Sequence, residues 1–285
     1  MGEPMAGNLV QAGYQVTVHN RSSPAVERLA AAGAQPAGTP AEAAKGADVV
    51  ILMLPDSPDV ELVMNGENGV AGALREGAVL IDMSTISPEV TRRLAGELAG
   101  RGVRMLDAPV SGGQQGAIAG TLTIMVGGDA DTFASAEPLF DVLGGSVTLI
   151  GDSGAGQVAK ACNQTIVACT LQNVAEALVL AKRSGVDPAR VRQALLGGFA
   201  GSKILEIHGQ RMLDEAYEPG FKVRLHAKDL DIALRTAAEA GVALPSTAAV
   251  RQFLTTLVAS GRGELDHSAL ALVVEQLAAG QEPTA

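Results

Sequence analysis

The chain is poor in the residues that most often betray a function. It holds two cysteines, four histidines and no run of basic residues in a length of 285. Cys162 and Cys169 stand seven apart in a stretch with helical spacing. That separates them by roughly 10 Å on a helix rising about 1.5 Å per residue, too far for a disulfide. His19, His208, His226 and His267 are scattered along the sequence, so no metal-ligand cluster is expected, and all four read as structural or surface residues. The 31 acidic residues outnumber the 21 basic ones, for a formal net charge of -10. That balance disfavours nucleic acid and anionic membranes as partners. No apolar stretch reads as approaching the roughly 18 to 20 residues of a membrane span. Nothing at the start reads as a signal peptide, and a cytoplasmic location is expected.

A further absence lies at the beginning. A dinucleotide-binding fold opens with a strand and a G-x-G-x-x-G loop before its first helix. Here the sequence enters inside that motif, with Gly2 where the third glycine would stand. The first strand is central in such a fold, so without it neighbouring strand edges are exposed and most of the pyrophosphate cradle is missing. A start codon assigned too far downstream, a truncated chain, and a short protein with a damaged cofactor site all fit this opening.

What is present is apolar and well patterned. Hydrophobic residues make up 47% of the chain, enough to bury a core in one or two domains. Residues 1–150 alternate short apolar runs with helical patterns, the signature of a parallel sheet covered by helices. Helices are expected from Gly2 to Gly13, over 24–32 and from Ser87 to about Ala99, and strands near 15–19 and 78–84. ADVVILMLP reads as a strand buried on both faces, RMLDAPVSGG as a strand running into a glycine loop, and TLTIMVGG and SVTLIG as two more strands. After Gly151 the strand signal ends. A long helix is expected over 157–183, with further helices near 187–196, 202–215, 223–240, 244–260 and 266–278. The expected architecture is an α/β Rossmann-type domain over 1–152, its first strand missing, followed by an all-helical domain over 153–285. Small-molecule sites favour the cleft between two such domains.

Two stretches carry candidate chemistry. In GDSGAGQVAKACNQ, glycines end a loop and a helix begins, and Lys160 and Asn163 stand three apart on one helix face. An ammonium beside an amide can protonate or polarise a carbonyl oxygen. The spacing alone suits a solvated lysine equally well. In DAPVSGG, Ser111 and the amides of Gly112 and Gly113 can bind a carboxylate, because glycines let the backbone approach an anion; an ordinary glycine turn has the same appearance. A third stretch bears on cofactor choice. NAD-specific folds place a carboxylate at the end of the second strand, whereas arginine suits a 2′-phosphate. Here that position reads Asn20, Arg21, Ser22, which favours NADP(H) and leaves NAD(H) possible.

Taken together, MGEPMAGNL, MLPDSPDV, DMSTISP, DAPVSGGQQGAIAGTLTIMVGG, GAGQVAKACNQ and LHAKDL make the chain resemble the 3-hydroxyacid dehydrogenase family from Gly2 to about Ala279. The resemblance implies hydride transfer between a nicotinamide cofactor and a short carboxylic acid bearing an alcohol or aldehyde. It implies that Lys160 is the catalytic lysine and that Asn163 orients it or the reacting oxygen, with Gln164 structural. By the same resemblance Ser111, Gly112 and Gly113 hold the substrate carboxylate, while Gly2, Leu54, Pro55, Thr85 and Lys228 contact the cofactor. Asp56 and Asp59 read as helix-start residues. LLGGFAGSKIL, EPGFKVRLHAKDL and GRGELDHSAL resemble the tartronate semialdehyde reductase branch, with Ser202 or Lys203 as polar partners for an extra substrate hydroxyl. Hydroxyisobutyrate dehydrogenase, a related semialdehyde or glyoxylate reductase, and an impaired nucleotide-binding relative are the alternatives. The implied assembly is a homodimer or homotetramer.

Overall fold

In a computed structural model of the protein, residues 1–279 are described, and they divide into two compact units that meet in sequence between Lys160 and Ala161. The first unit is α/β. Its elements in order are α1 (Gly2–Gln11), β1 (Thr17–Val18), α2 (Ser23–Ala31), β2 (Gln35–Pro36), α3 (Pro40–Ala44), β3 (Val49–Leu52), α4 (Ser57–Asn65) and α5 (Val70–Ala73). There follow β4 (Val79–Asp82), α6 (Pro88–Ala99), β5 (Arg104–Asp107), β6 (Val110–Ser111), α7 (Gly113–Ala119), β7 (Leu122–Gly127), α8 (Ala130–Leu143) and β8 (Gly144–Gly151).

The main sheet runs β3-β4-β5-β7-β6, with β8 also paired to β7, while β1 and β2 form a separate parallel pair. The sheet is mixed, where the alternating pattern suggests a parallel one. β3, β4 and β5 are parallel, but β7 is antiparallel to both β5 and β6. Pro109, which has no N–H to donate, divides the expected single strand RMLDAPVS into β5 and β6. Between β6 and β7 stands only the short α7, less than the dozen or so residues a parallel crossover needs.

β4 explains why the sheet is stable. Val79 and Ile81 enter one core with Met5, Leu9, Ile124 and Phe140, while Leu80 enters the opposite core with Val60, Leu94 and Met105. Alternation along one strand therefore feeds both faces. β3 departs from its expected burial on both faces: Val49, Val50 and Ile51 are only half-buried. It ends the sheet order, and β4 is its one partner there.

The second unit is helical among the described residues. Helix α9 (Ala155–Arg183) runs into it from the first, followed by α10 (Pro188–Leu196), α11 (Lys203–Leu213), α12 (Val223–Glu239), α13 (Pro245–Ala259), a 3-10 turn (His267–Ala269) and α14 (Leu270–Ala278). The last six residues of the expected second domain lie outside the described residues. Ala168, Leu171, Ala175 and Leu178 of α9 form one core with Leu205, Leu230, Leu254 and Leu270. Helix α9 is, by length and composition, apolar enough to cross a membrane, contrary to the expectation from sequence, where its interspersed Gln, Asn and Thr residues mask the apolar average. Half of its apolar window is buried inside the protein, as a core helix requires. Both cysteines on it are free.

Three of the four histidines are not scattered in space. Nδ1 of His267 lies 2.9 Å from Nδ1 of His226, and its Nε2 lies 3.3 Å from Nε2 of His208. His208 Nδ1 is 3.7 Å and Arg211 Nε 3.5 Å from Asp266 Oδ1. These residues come from α11, α12 and the 3-10 turn, at sequence separations of 41 and 59, so linear spacing carries no sign of the cluster. Burial lowers the His267 imidazole well below its ordinary value, and the neighbouring histidines add to the effect. Asp266 ties the cluster to the chain before α12 by accepting from the Gly220 and Phe221 amides, both at 3.0 Å.

Candidate active site

The first turn of α9 is fixed from two sides. Asp107, the last residue of β5 and 1% exposed, accepts from the Gly154 amide at 2.7 Å and the Gln157 amide at 2.9 Å. Burial raises its carboxyl pKa, while the backbone donors work against that rise. Gln157, also 1% exposed, accepts from the Ile86 amide at 3.1 Å and donates to the Ser84 carbonyl at 2.8 Å. The Ser84 hydroxyl in turn accepts from the Leu54 amide at 2.9 Å. Leu54, an expected cofactor contact, thus belongs to one bonded set with the start of α9, and Thr85, another, lies between its members Ser84 and Ile86. Pro55 follows as an exposed residue. Asp56 caps α4 through the Ser57 amide, and Asp59 lies in its first turn.

Lys160 sits one turn beyond Gln157 and is only 7% exposed, unusual for a residue type that is almost always solvated. The loop after β5 leads through β6 to Ser111, half-buried, and to exposed Gly112 and Gly113. Their φ angles are +130° and +61°, values that side-chain-bearing residues rarely adopt. The glycine loop and the start of α9 therefore diverge from the same residue, Asp107.

A second bonded set lies in the helical unit. Asn163 donates to Gln164 Oε1 at 2.7 Å, and Gln164 Nε2 donates to Asp229 Oδ2 at 2.6 Å. Asp229 Oδ1 pairs with Lys228 Nζ at 2.7 Å. Gln164 and Asp229 are nearly inaccessible, so a buried carboxylate holds one expected site lysine directly and the expected site asparagine through one amide. Sequence reasoning missed Ser84, Asp107, Gln157 and Asp229. For Asp229 a signal existed, since it adjoins Lys228 in LHAKDL.

At the end of β1, Asn20 donates to the Ser22 hydroxyl at 2.9 Å, and exposed Arg21 lies 3.3 Å from Asp59. α1 starts at Gly2 with no side-chain cap, leaving the positive end of its dipole and its free amides open to an anion. Exposed Arg21 and this uncapped helix start fit a phosphate-bearing dinucleotide. A Cβ built on Gly2 would meet Met53 at 3.6 Å, ordinary contact, so packing within the described residues does not demand glycine there. Ser202 caps α11 through the Leu205 amide, and Lys203 pairs with Glu206 on the surface.

A Rossmann-like unit joined in one chain to a helical unit, matched along its length by NAD-binding family models and by named dehydrogenases and reductases, makes the chain an NAD(P)-dependent oxidoreductase. Comparison with known proteins narrows the class. The family description "NAD binding domain of 6-phosphogluconate dehydrogenase" matches residues 1–151, and "NAD-binding of NADP-dependent 3-hydroxyisobutyrate dehydrogenase" matches residues 154–274. The chain belongs to the 3-hydroxyisobutyrate dehydrogenase-like family of oxidoreductases. It is 47% identical over 278 residues to 2-hydroxy-3-oxopropionate reductase of Escherichia coli K12, covering 98% of this chain and 95% of that relative. It is 39% identical to 3-hydroxyisobutyrate dehydrogenase of Pseudomonas aeruginosa, over 90% of this chain and 88% of the relative. Among solved structures, Mycobacterium tuberculosis 3-hydroxyisobutyrate dehydrogenase with L-serine superposes with a TM-score of 0.87 at 33% identity, covering 97% and 95% of the two chains.

Proposed function

We propose that the protein reduces tartronate semialdehyde (2-hydroxy-3-oxopropionate) to D-glycerate, reversibly, with NADP(H) favoured over NAD(H). The observation that carries this reading is Lys160, a lysine held 7% exposed on a helix whose first turn is bonded to both expected ligand loops. A reduced nicotinamide supplies the hydride when bound. Ser111 and the Gly112 and Gly113 amides hold the substrate carboxylate, which presents the aldehyde. As hydride reaches the aldehyde carbon, negative charge develops on its oxygen; the Lys160 ammonium stabilises that charge and gives the oxygen its proton. In the reverse direction the neutral amine takes the proton from the alcohol. Asn163 orients the ammonium or the reacting oxygen. Gly2, Asn20, Arg21, Ser22, Leu54, Pro55, Thr85 and Lys228 are assigned to the cofactor.

The 47% identity to a reductase of this substrate supports the choice. Arg21 at the end of β1, where no carboxylate occupies 20–22, supports NADP(H). The similarity to a hydroxyisobutyrate dehydrogenase makes 3-hydroxyisobutyrate oxidation the second reading. Initial rates with tartronate semialdehyde, methylmalonate semialdehyde, succinic semialdehyde and glyoxylate, each with NADPH and NADH, decide between them. The highest kcat/KM is expected for tartronate semialdehyde with NADPH; a tenfold preference for another acid would overturn the substrate assignment. A second copy of the chain is the proposed protein partner, supported by exposed Ile166 and Leu180 on α9 and exposed Phe199, and light scattering of the purified protein tests it.

A further inference from the structure

We infer that Asp107 and Gln157 are positioning residues that weld the first turn of α9, and with it Lys160, to the two loops that hold substrate and cofactor. This rests on the proposed role of Lys160 and extends it to two nearly inaccessible residues beside it.

The geometry is specific. Asp107 stands where β5 ends and the glycine loop begins, and each of its two carboxylate oxygens accepts from a different amide at the start of α9. A shift of the helix start by about an ångström would break both bonds. Gln157 does the same toward the neighbouring loop, since one side-chain amide accepts from Ile86 and donates to Ser84 on either side of Thr85. Two glycines make the approach possible. A Cβ on Gly127 would lie 2.5 Å from Asp107 Oδ1, and one on Gly156 would lie 2.4 Å from the Met125 carbonyl and 2.9 Å from Asp107 Oδ2. Real Cβ atoms do not come so close, so β7, Asp107 and the start of α9 are packed backbone to backbone.

The choice of a carboxylate carries its own argument. The partners of Asp107 are backbone N–H donors, so the ionised form is the one whose bonds are all satisfied, and it is buried without a cation in the bonded set. Burying an unpaired anion is expensive. What compensates it is the positive end of α9, where free amides and the helix dipole converge. The negative charge of Asp107 therefore sits at the head of the helix that carries Lys160 a turn and a half later, and it favours the ammonium form that reduction requires. A serine or asparagine could cap the helix, but neither would supply that charge.

Asp107→Asn and Gln157→Met test the inference, with Lys160→Ala measured alongside. Asp107→Asn keeps the shape, removes the charge and replaces one of the two accepting oxygens with a donor. Its kcat for reduction should fall about 10- to 100-fold. The alkaline limb of its pH profile should move to lower pH, the direction in which loss of a nearby negative charge shifts an ammonium. Gln157→Met should lower kcat about tenfold, leave the KM for the carboxylate substrate within threefold, and leave the alkaline limb in place. If Asp107→Asn folds but keeps the wild-type kcat and limb, Asp107 is merely structural and the inference fails for it. Should that variant not fold, Gln157→Met decides, and a kcat within twofold of wild type would overturn the weld. A fully active Lys160→Ala would instead sink the proposed proton donor, a separate failure.

Discussion

At the scale of single residues, the placements that matter are buried polar ones. Asp107, Gln157, Gln164 and Asp229 are each at most 4% exposed and each hydrogen-bonded. Gln164→Leu would leave the Asp229 carboxylate short of a donor and the Asn163 amide short of an acceptor. Such a loss destabilises by about 1–3 kcal/mol, to be read from urea unfolding, and it should weaken cofactor affinity because Asp229, the partner of Lys228, loses the donor that fixes its other oxygen. A variant as stable as wild type with unchanged affinity would show that the Asn163–Gln164–Asp229–Lys228 set is incidental. These residues were the least legible in the sequence. Glycine turns, a lysine three residues from an asparagine, and helix-start aspartates leave local patterns, whereas Asp107 meets Gln157 across 50 positions and nothing local marks either.

At the scale of elements, the sequence was read well wherever periodicity was strong. The helices over 157–183, 187–196 and 223–240 correspond to α9, α10 and α12 within two residues, and buried β4 lies within the expected 78–84. Misses arose where local signals conflict. α8 contains Pro138 in its interior, which reads as a helix breaker, and α3 and α5 are too short for their period to show. The antiparallel turn of β7 depends on Pro109 and on a short connection, features of topology rather than pattern. Close packing at the start of α9 has a direct test. Gly156→Ala should cost about 2 kcal/mol or more, because its Cβ would collide with a carbonyl of β7 and overpacked backbone cannot relax cheaply. Gly2→Ala, meeting Met53 at ordinary contact distance, should change stability by less than about 1 kcal/mol. Thermal unfolding of the two variants side by side distinguishes these cases, and equal stabilities would contradict the packing argument.

At the scale of the whole molecule, the two units differ in what holds them. The α/β unit rests on two apolar cores either side of its sheet, whereas the helical unit adds a buried knot of His208, His226, His267 and Asp266 to its core. Burial holds His267 below the ordinary imidazole value. As pH falls below about 6.5, the unfolded chain therefore takes up a proton that the folded chain refuses. Stability is full above that pH and falls below it, by about 1.4 kcal/mol per pH unit for each proton refused. Urea unfolding at pH 7.5 and 5.5 should show the loss, and His267→Gln should reduce the difference between the two. Equal wild-type stability at both values would mean the knot accepts protons freely.

The proposed chemistry converges on one side chain, Lys160. Steady-state reduction of tartronate semialdehyde by wild type and Lys160→Ala, with NADPH affinity measured on both, tests it most directly. The alanine variant should bind NADPH as wild type does and lose about 10² or more in kcat, the size of a lost general acid. A loss smaller than fivefold with cofactor affinity intact would contradict the assignment of Lys160 as the group that protonates the substrate oxygen.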